Sequence, residues 1–237
     1  MNKPFQFKQF SVNQDQCAMK VGTDSVLLGA WTHIDTSTNS VLDIGAGTGI
    51  LALMIAQRCH AELIDGIEID DKAYEQCVEN FEQSPWGDRL FCYHASLEEF
   101  ADEIDDSYDL IVSNPPFHPD FSKSGNQARD LARFQDAMPF EHLIDSSVKL
   151  LAPHGRLVVI VPFSEEEKFI DIALQNDLHP NKILRVKGTV SSEFKRSLID
   201  LSLTKNEPEI ESLIIETSRH QYTDDYVALT QDFYMKM

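Results

Sequence analysis

The chain has 237 residues, 42% hydrophobic and 25% charged, which suits one globular α/β domain and excludes disordered and low-complexity proteins. No run approaches the ~18 uncharged apolar residues of a membrane span, and the first ten residues lack the apolar segment of a signal peptide. The four widely spaced cysteines fit neither a disulfide framework nor a zinc site. We therefore expect a cytoplasmic protein without a membrane partner or a bound metal.

Charge is distributed unevenly along the chain. With 20 Lys and Arg against 39 Asp and Glu, the formal net charge is −19, which taken alone argues against a polyanionic partner. Residues 62–109, however, hold 16 of the acids and only two basic residues, whereas residues 1–20 and 182–205 each carry a basic excess. This split predicts an acidic face and a mildly basic one, so nucleic acid stays a possible partner.

Short apolar runs alternate with segments of helical period from residue 40 onward, which predicts a parallel sheet wrapped by helices. The predicted strands are 41–45, 63–69, 89–95, 108–113 and 156–162, and the predicted helices are 50–59, 71–83, 139–153 (stopped by Pro153 and Gly155) and 165–178. Residues 182–188 and 196–204 follow without a helical crossover, so we expect them to pair antiparallel, with 210–217 as an additional strand. The polar segment 118–137 is predicted to be a long loop, and the acidic run 98–106 a solvated face.

A glycine-rich turn, Asp43-Ile44-Gly45-Ala46-Gly47-Thr48-Gly49, follows the first predicted strand. Its glycines let the backbone approach a ligand closely, and the next helix offers free N–H groups. Many cofactor sites share such a run, and a tight turn without a ligand is the alternative. Glu68 ends the second strand, where an acid can accept from both hydroxyls of a ribose. Asp43 suits a cationic amine or sulfonium better than a pyrophosphate, which favours a positively charged cofactor.

This pattern resembles the class I S-adenosylmethionine-dependent methyltransferases over roughly residues 20–205. The resemblance implies a doubly wound, Rossmann-like α/β fold with a seven-stranded, mostly parallel sheet whose last strand is antiparallel. It also implies S-adenosylmethionine (SAM) as the cofactor. We accordingly predict one domain over residues 1–237, with a core at 40–205 between an N-terminal segment, 1–39, and a C-terminal extension, 206–237.

The same resemblance assigns the cofactor contacts. The methionine end of SAM is expected against Asp43, Gly45, Gly47 and Gly49, and the ribose against Glu68. Ala46, Ile69 and Asn114 are further expected cofactor contacts. Many members of the class place an acid after the third strand to reach the adenine amino group. Here Ser96 stands at that position, so the Ser96 hydroxyl or the backbone of Leu97 is the expected adenine contact.

The segment Asn114-Pro115-Pro116-Phe117 follows the fourth predicted strand. An exocyclic amine on an aromatic base is a poor nucleophile, because its lone pair is delocalised into the ring. The Asn114 side-chain oxygen and the Pro115 carbonyl, made rigid by the tandem prolines, can accept its two N–H groups and aim the lone pair at a methyl group. Phe117 then offers a stacking face worth ~1–3 kcal/mol. On its own the segment is equally an ordinary turn that ends a strand.

These four residues resemble the (Asp/Asn/Ser)-Pro-Pro-(Tyr/Phe/Trp) motif of amino-group methyltransferases. Residues 5–31, 187–202 and 219–234 are also similar to blocks of the bacterial tRNA1(Val) (adenine(37)-N6)-methyltransferase family. That resemblance spans nearly the whole chain and implies methyl transfer to N6 of adenine 37 in the anticodon loop. The nearest rival is another exocyclic amine, guanine N2 of ribosomal RNA or a protein glutamine. A non-catalytic SAM-binding or RNA-binding module is the rival from a different class.

Basic and aromatic residues near the chain ends are the candidate RNA contacts. The expected phosphate contacts are Lys3, Lys8, Lys187, Lys195 and Arg196, and a solvated strand edge is the alternative for the last three. Phe5, Phe7 and Phe10 either stack on RNA or pack in the core. Lys20, Thr23 and Asp24 are expected near the cofactor, with helix capping as the alternative for the last two. Arg129 and Arg133 lie in the predicted loop and are expected to close on RNA.

Overall fold

The computed structural model describes residues 3–17, 19–116 and 138–237. Its strands are β1 (Phe5–Gln6), β2 (Ser11–Val12), β3 (Ser40–Ile44), β4 (Leu63–Glu68), β5 (Leu90–His94), β6 (Tyr108–Ser113), β7 (Leu151–Pro162), β8 (His179–Thr189), β9 (Phe194–Ser202), β10 (Glu209–Ser218) and β11 (Gln221–Tyr222). Its helices are α1 (Thr23–Trp31), α2 (Ile50–Arg58), α3 (Asp71–Glu82), α4 (Leu97–Glu103), α5 (Phe140–Leu150), α6 (Glu166–Gln175) and α7 (Asp224–Thr230). A 3₁₀ turn, Phe163–Glu165, joins β7 to α6.

One large sheet carries the fold, in the order β11-β10-β8-β9-β7-β6-β3-β4-β5. Strands β5, β4, β3, β6 and β7 run parallel to one another, and β9 runs antiparallel to both β7 and β8. The predicted seven-stranded sheet with an antiparallel last strand is therefore confirmed as β3 to β9. Strand β10, which the sequence also predicted, adds parallel to β8, and the short β11 pairs antiparallel with β10.

Two separate buried clusters cover the two faces of this sheet. Side chains of successive residues in a strand point to opposite faces, so Val41 belongs to one cluster and Leu42 to the other. Helices α1, α2, α3 and α7 supply the first cluster, and α4, α5 and α6 supply the second. This doubly wound arrangement leaves the carboxyl ends of the parallel strands open at one edge of the sheet. In the described residues no helix is long and apolar enough to cross a bilayer.

The end of helix α5 differs from the sequence prediction. The helix ends at Leu150, and β7 begins directly at Leu151 rather than at residue 156. The β6–β7 register shifts between the pairs Tyr108–Leu151 and Leu110–Arg156, so residues 152–155 form an irregular stretch of the strand. Pro153 and Gly155 lie in that stretch, where a residue without an N–H is tolerated. The prediction that these two residues end the helix was wrong.

Helices α4 and α7 were not predicted at all. The acidic run indeed presents exposed carboxylates, but Leu97 and Phe100, three positions apart, are 5% and 4% exposed and pack on the sheet. Two apolar residues in a short acidic segment give too weak a periodicity to reveal a helix. The run is therefore the outer face of a helix, and the prediction of a solvated face held only for its charged side chains.

The N-terminal aromatic residues pack in the core. Phe7 and Phe10 are 3% and 7% exposed, stack with centroids 4.7 Å apart, and lie in the same buried cluster as α1 and α2. Phe5 is half-buried against that cluster, and Phe7 forms an isolated β-bridge with Tyr234. Core packing, rather than RNA stacking, is therefore the role of Phe7 and Phe10, and Phe5 packs against Phe7 with ring centroids 4.8 Å apart.

Buried amides of α3 hold the segment that follows the β1–β2 hairpin. The Asn80 side chain, 1% exposed, accepts from the Asn13 backbone N–H at 2.8 Å and donates to the Asn13 and Thr48 carbonyls. Gln76, equally buried, accepts from the Gln16 backbone N–H at 3.1 Å. These bonds tie the N-terminal segment to the glycine turn, so residues 19–25 come to lie over the open edge of the sheet.

Candidate active site

A cavity of about 400 Å³ opens at the carboxyl ends of β3 and β6. Its walls are residues 45–48 of the glycine turn, the start of α2, Asn114 after β6, and residues of the segment 19–25. In an open parallel sheet this edge is where ligands bind, because loops and helix N-termini converge there. The cavity therefore brings together the glycine turn, the first residue of the Asn-Pro-Pro segment and the N-terminal segment.

The glycine turn exposes its backbone to the cavity. Gly45 and Gly47 have φ values of +72° and +56°, and a Cβ added to either would meet no atom within 4 Å. A ligand can therefore lie directly on this backbone. Gly49 also has a positive φ, +77°, but a Cβ there would lie 2.5 Å from Phe81. Its place is thus in the packing between α2 and α3, and the predicted cofactor contact at Gly49 stays a prediction.

Asp43 is a fully buried carboxyl group beside the turn. Its Oδ2 accepts from the Ala52 backbone N–H at 3.2 Å, whereas its Oδ1 has no hydrogen-bond partner among the described residues. Burial raises the pKa of Asp43 to about 7, against the lowering effect of the Ala52 bond, and the charge of Glu68 raises it further. A buried carboxyl oxygen without a partner is costly, so this group fits a ligand that brings a cation or an N–H donor.

Glu68 is held in place by three backbone N–H groups. Its Oε2 accepts from Gly47 at 2.8 Å, and its Oε1 accepts from Ile69 and Asp70 at 2.9 Å each. The carboxylate therefore bridges the glycine turn and the loop before α3, and the ribose contact at Glu68 stays a prediction. The Ile69 side chain is 66% exposed and offers an apolar surface beside it.

Ser96 serves a different local purpose. It is the N-cap of α4, where its hydroxyl accepts from the Glu99 backbone N–H and donates to the Glu99 carboxylate at 2.9 Å. Such a reciprocal capping box stabilises the start of a helix and was not predicted for this position. The Leu97 side chain is buried. The hydroxyl is thus occupied by Glu99, and the adenine contacts at Ser96 and Leu97 stay predictions.

Asn114 is oriented by a serine from the other end of the chain. Its Nδ2 donates to Ser25 Oγ at 3.1 Å, which leaves the side-chain oxygen available to accept from a ligand. Ser113, the preceding residue, donates its hydroxyl to the Ile44 carbonyl at 2.8 Å and fixes the end of β6 beside the glycine turn. Ser25 was missed, and no local signal could have found it, because only the packing of α1 brings it to a residue 89 positions away.

The rest of the Asn-Pro-Pro segment is only partly described. Pro115 is buried and Pro116 is half-buried. Phe117 lies outside the described residues, as do Arg129 and Arg133, so the expectations for these three side chains stay predictions.

A carboxylate that lines the cavity, Asp24, has a cationic partner. Its Oδ2 accepts from Arg196 Nε at 2.7 Å, with both side chains about one third exposed. The N-cap of α1 is Gly22, with no side-chain capping bond, so the capping alternative for Thr23 and Asp24 was wrong. Both residues line the cavity together with Lys20. Arg196, predicted as a phosphate contact, is therefore also the counter-charge of Asp24.

The other RNA candidates lie in two groups. Lys187 and Lys195 lie on β8 and β9 with Arg196; Lys187 Nζ donates to the Val190 carbonyl at 3.0 Å, and Lys195 is exposed. Lys3 is exposed before β1, and Lys8 donates to the Gln231 carbonyl after α7. The structure thus brings together only the three candidates on the β8–β9 pair.

Comparison with known proteins agrees with this geometry. The family model described as methyltransferase small domain matches residues 17–176. A tRNA1(Val) (adenine(37)-N6)-methyltransferase from Flavobacterium johnsoniae is 60% identical over 98% of this chain and all of its own length. One from Bacteroides fragilis is 44% identical over the full length of both chains. The crystal structure of a predicted O-methyltransferase from Agrobacterium tumefaciens aligns over 89% of this chain and 96% of its own, with a TM-score of 0.67 and 16% identity, a likeness of fold.

Proposed function

The chain belongs to the tRNA1(Val) (adenine(37)-N6)-methyltransferase family, and from this premise we propose that it methylates N6 of adenine 37 in the anticodon loop of that tRNA, with SAM as the methyl donor. The observation that carries the proposal is the cavity itself. The cavity is lined by Asn114, whose amide is held by Ser25, and it opens at the end of β3, where Asp43 keeps a buried oxygen that has no partner among the described residues. We therefore propose both that SAM binds at this edge of the sheet and that the residues there contact it.

The cofactor side of the proposal depends on charge. SAM supplies a methyl group on a positively charged sulfonium, and its methionine part carries an ammonium group. The free Oδ1 of Asp43 can accept from a cationic N–H donor, the bare backbone of Gly45 and Gly47 leaves room for the chain of the ligand, and Glu68 can accept from ribose hydroxyls. We assign the cofactor contacts to these residues, with Ile69 as the apolar surface beside the ribose.

The acceptor side depends on Asn114. Its side-chain oxygen accepts one N–H of the adenine amino group, and the Pro115 carbonyl accepts the other. Two acceptors draw the nitrogen toward tetrahedral geometry, so its lone pair leaves the ring and points at the methyl group. The amine loses its extra proton after transfer, so no strong general base is needed. Phe117 is proposed to stack on the adenine, which is readily extruded because it lies in a loop.

The whole chain is proposed to act as one domain. Residues 19–25 of the N-terminal segment and residues 45–48 of the core form walls of the same cavity. The C-terminal extension supports the N-terminal segment through the Phe7–Tyr234 bridge. We expect the enzyme to act in the cytoplasm and without a metal.

The experiment that tests the function is methyl transfer to a defined RNA. Purified protein, labelled SAM and an unmodified tRNA1(Val) transcript are incubated, and the nucleosides are identified by mass spectrometry. We expect one N6-methyladenosine per tRNA and none on a transcript in which adenine 37 is replaced by guanosine. Label in N2-methylguanosine of ribosomal RNA, or in protein glutamine, would favour the rival amines. SAM binding without transfer to any of these would favour a non-catalytic module.

A further inference from the structure

Two phenylalanine rings pair outside the buried clusters, at the same edge of the sheet as the cavity. Phe163, in the 3₁₀ turn after β7, and Phe194, the first residue of β9, have ring centroids 5.3 Å apart. Both are half-buried, and among the described residues neither belongs to the two buried clusters or to the side chains packed against them. The core therefore does not account for this pair.

Cations lie over both rings. The Arg185 guanidinium is 5.6 Å from the centre of Phe163, and Lys187 Nζ is 5.5 Å from the centre of Phe194. Arg185 also pairs with the buried carboxylate of Glu166 at 2.7 Å, which fixes its position. We call Phe163, Arg185, Lys187 and Phe194 the aromatic patch. Rings interleaved with cations are the arrangement on which unpaired bases stack while phosphates are neutralised.

The aromatic patch lies at the same edge of the sheet as the cavity. Arg196 bonds to Asp24, which lines the cavity, and Phe194 precedes Arg196 by two residues on the same strand. The β8–β9 register shifts between Arg196 and Phe194, so Phe194 pairs with Lys187 and lies with Arg185 on the face of the sheet that α6 covers, whereas Arg196 and Asp24 lie on the α1 face. The link to the acceptor side is made by neighbouring strands, since Phe163 follows β7 and Asn114 follows β6. The aromatic patch therefore lies at the carboxyl edge of the sheet, beside the strand whose end carries Asn114.

We propose that the aromatic patch binds an unpaired nucleotide beside the target adenine, by stacking on Phe194 and Phe163 with Lys187 near its phosphate. The inference rests on the proposed function and names the part of the RNA that the chain holds next to the reacting base. Lys187 is one of the candidate phosphate contacts, and its position over the ring of Phe194 places it beside the proposed stacked base. Glu166 fixes the Arg185 guanidinium, which lies over the ring of Phe163.

The test measures RNA binding and turnover in Phe194→Leu and Phe163→Leu, which keep apolar volume and remove the stacking face. Fluorescence anisotropy with the anticodon stem-loop RNA gives Kd, and methyl transfer to tRNA1(Val) gives KM and kcat. We expect Kd and KM to rise about tenfold for Phe194→Leu, equivalent to about 1.4 kcal/mol and typical of one base–aromatic stack. The rise for Phe163→Leu is expected to be smaller, and kcat is expected to change less than twofold.

A matched control is Phe91→Leu, since Phe91 is 45% exposed on β5 at the opposite end of the sheet. It should leave Kd and KM unchanged. The salt dependence separates stacking from charge: Phe194→Leu should keep the slope of log Kd against log salt, whereas Lys187→Gln should flatten it. Kd within twofold of the parent for both Phe variants, or an equal loss for Phe91→Leu, overturns the aromatic patch. Binding that follows this pattern without methylation would instead refute the proposed function.

Discussion

The two ends of the candidate site are built differently. At the proposed cofactor end, the glycine turn presents bare backbone, and Asp43 keeps one buried oxygen that has no partner in the part of the chain that the structure describes. At the acceptor end, polar side chains satisfy one another, Ser25 with Asn114 and Asp24 with Arg196. At the first end, a carboxyl oxygen can still accept from a cationic ligand. At the second end, the side chain of Asn114 is already oriented before a ligand binds. In the proposed mechanism, cofactor binding and orientation of the acceptor amine therefore depend on separate groups, and single substitutions should affect one without the other.

The largest effect is expected at the acceptor end. Asn114→Ala should lower kcat by about 10²–10³, the usual loss when one preorganised polar group at a reacting centre is removed. Affinity for SAM, measured by calorimetry, should stay within about threefold, because Asp43 and the glycine turn are untouched. Unchanged turnover would remove Asn114 from the mechanism, and an equal loss of SAM affinity would mean that the two ends are not separate.

Asp43→Asn tests the cofactor end and should weaken SAM binding about 10- to 100-fold, the range for a lost charged hydrogen bond. Because the pKa of Asp43 is about 7 without ligand, SAM affinity of the parent should rise with pH up to about 7 and then level off. The variant should lose this dependence. Equal pH profiles of Kd for parent and variant would contradict the assignment.

The same substitution has a stability consequence with a definite sign. Burial raises the pKa of Asp43 above its value in the unfolded chain, about 4, so the folded state holds the proton more tightly. Its contribution to stability is full below about pH 4 and is lost as the pH rises through about 7. The Tm of the ligand-free parent should therefore fall relative to that of Asp43→Asn between these pH values.

Ser25→Ala should have a moderate effect. Loss of one neutral hydrogen bond frees the Asn114 amide to rotate, and we expect kcat to fall about threefold to tenfold with little change in SAM affinity. Ser25→Thr keeps a hydroxyl at the same position and should restore most of the activity. Equal losses for both variants would mean that the site needs the size of serine and not its hydroxyl.

The smallest effect is expected at Lys195 and Arg196, which we call the rim. Lys195 is exposed, and Lys195→Gln should weaken tRNA binding about twofold and reduce its salt slope by about one. Arg196→Ala should weaken it more, since it removes a cation and leaves Asp24 uncompensated. Lys205→Gln, at the far end of β9, is the control. Binding curves for Lys195→Gln and Arg196→Ala that match the parent at every salt concentration would exclude this rim from the RNA surface.

Sequence reasoning located the core elements because their signals are local. The apolar runs of β3, β4, β6 and β7, each followed by a turn or helix pattern, fix a parallel sheet without knowledge of distant contacts. Helix α4 was missed because its periodicity is weak, and the end of α5 was misplaced because a local signal pointed the wrong way. From the local sequence, Pro153 is expected to end a helix. In the structure it lies in an irregular part of β7, whose partner strand β6 is distant along the chain.

In the candidate site, too, the residues at strand ends could be predicted and the contacts between distant segments could not. Asp43, Glu68 and Asn114 each stand directly at a strand end, so their convergence follows from the topology alone. Ser25 and the Asp24–Arg196 pair depend on how α1 packs across the sheet, and the partners of that ion pair are 172 positions apart. The unpartnered oxygen of Asp43 could not be predicted either, since burial of a single atom is set by the packing around it.

The order of the strands also separates charge in space. The acid-rich stretch 62–109 includes β4 and β5 at one end of the sheet, whereas the basic excess of 182–205 lies on β8 and β9 toward the other. In the field of an approaching polyanion, the protein experiences a torque that turns β8 and β9 toward the polyanion. At about 10 mM salt the Debye length is about 30 Å, so the net negative charge slows encounter; at about 150 mM it shrinks to about 8 Å, and only the nearest charges count. Association with tRNA should accordingly be most productive at moderate ionic strength, an optimum that a uniformly basic RNA-binding protein would not show.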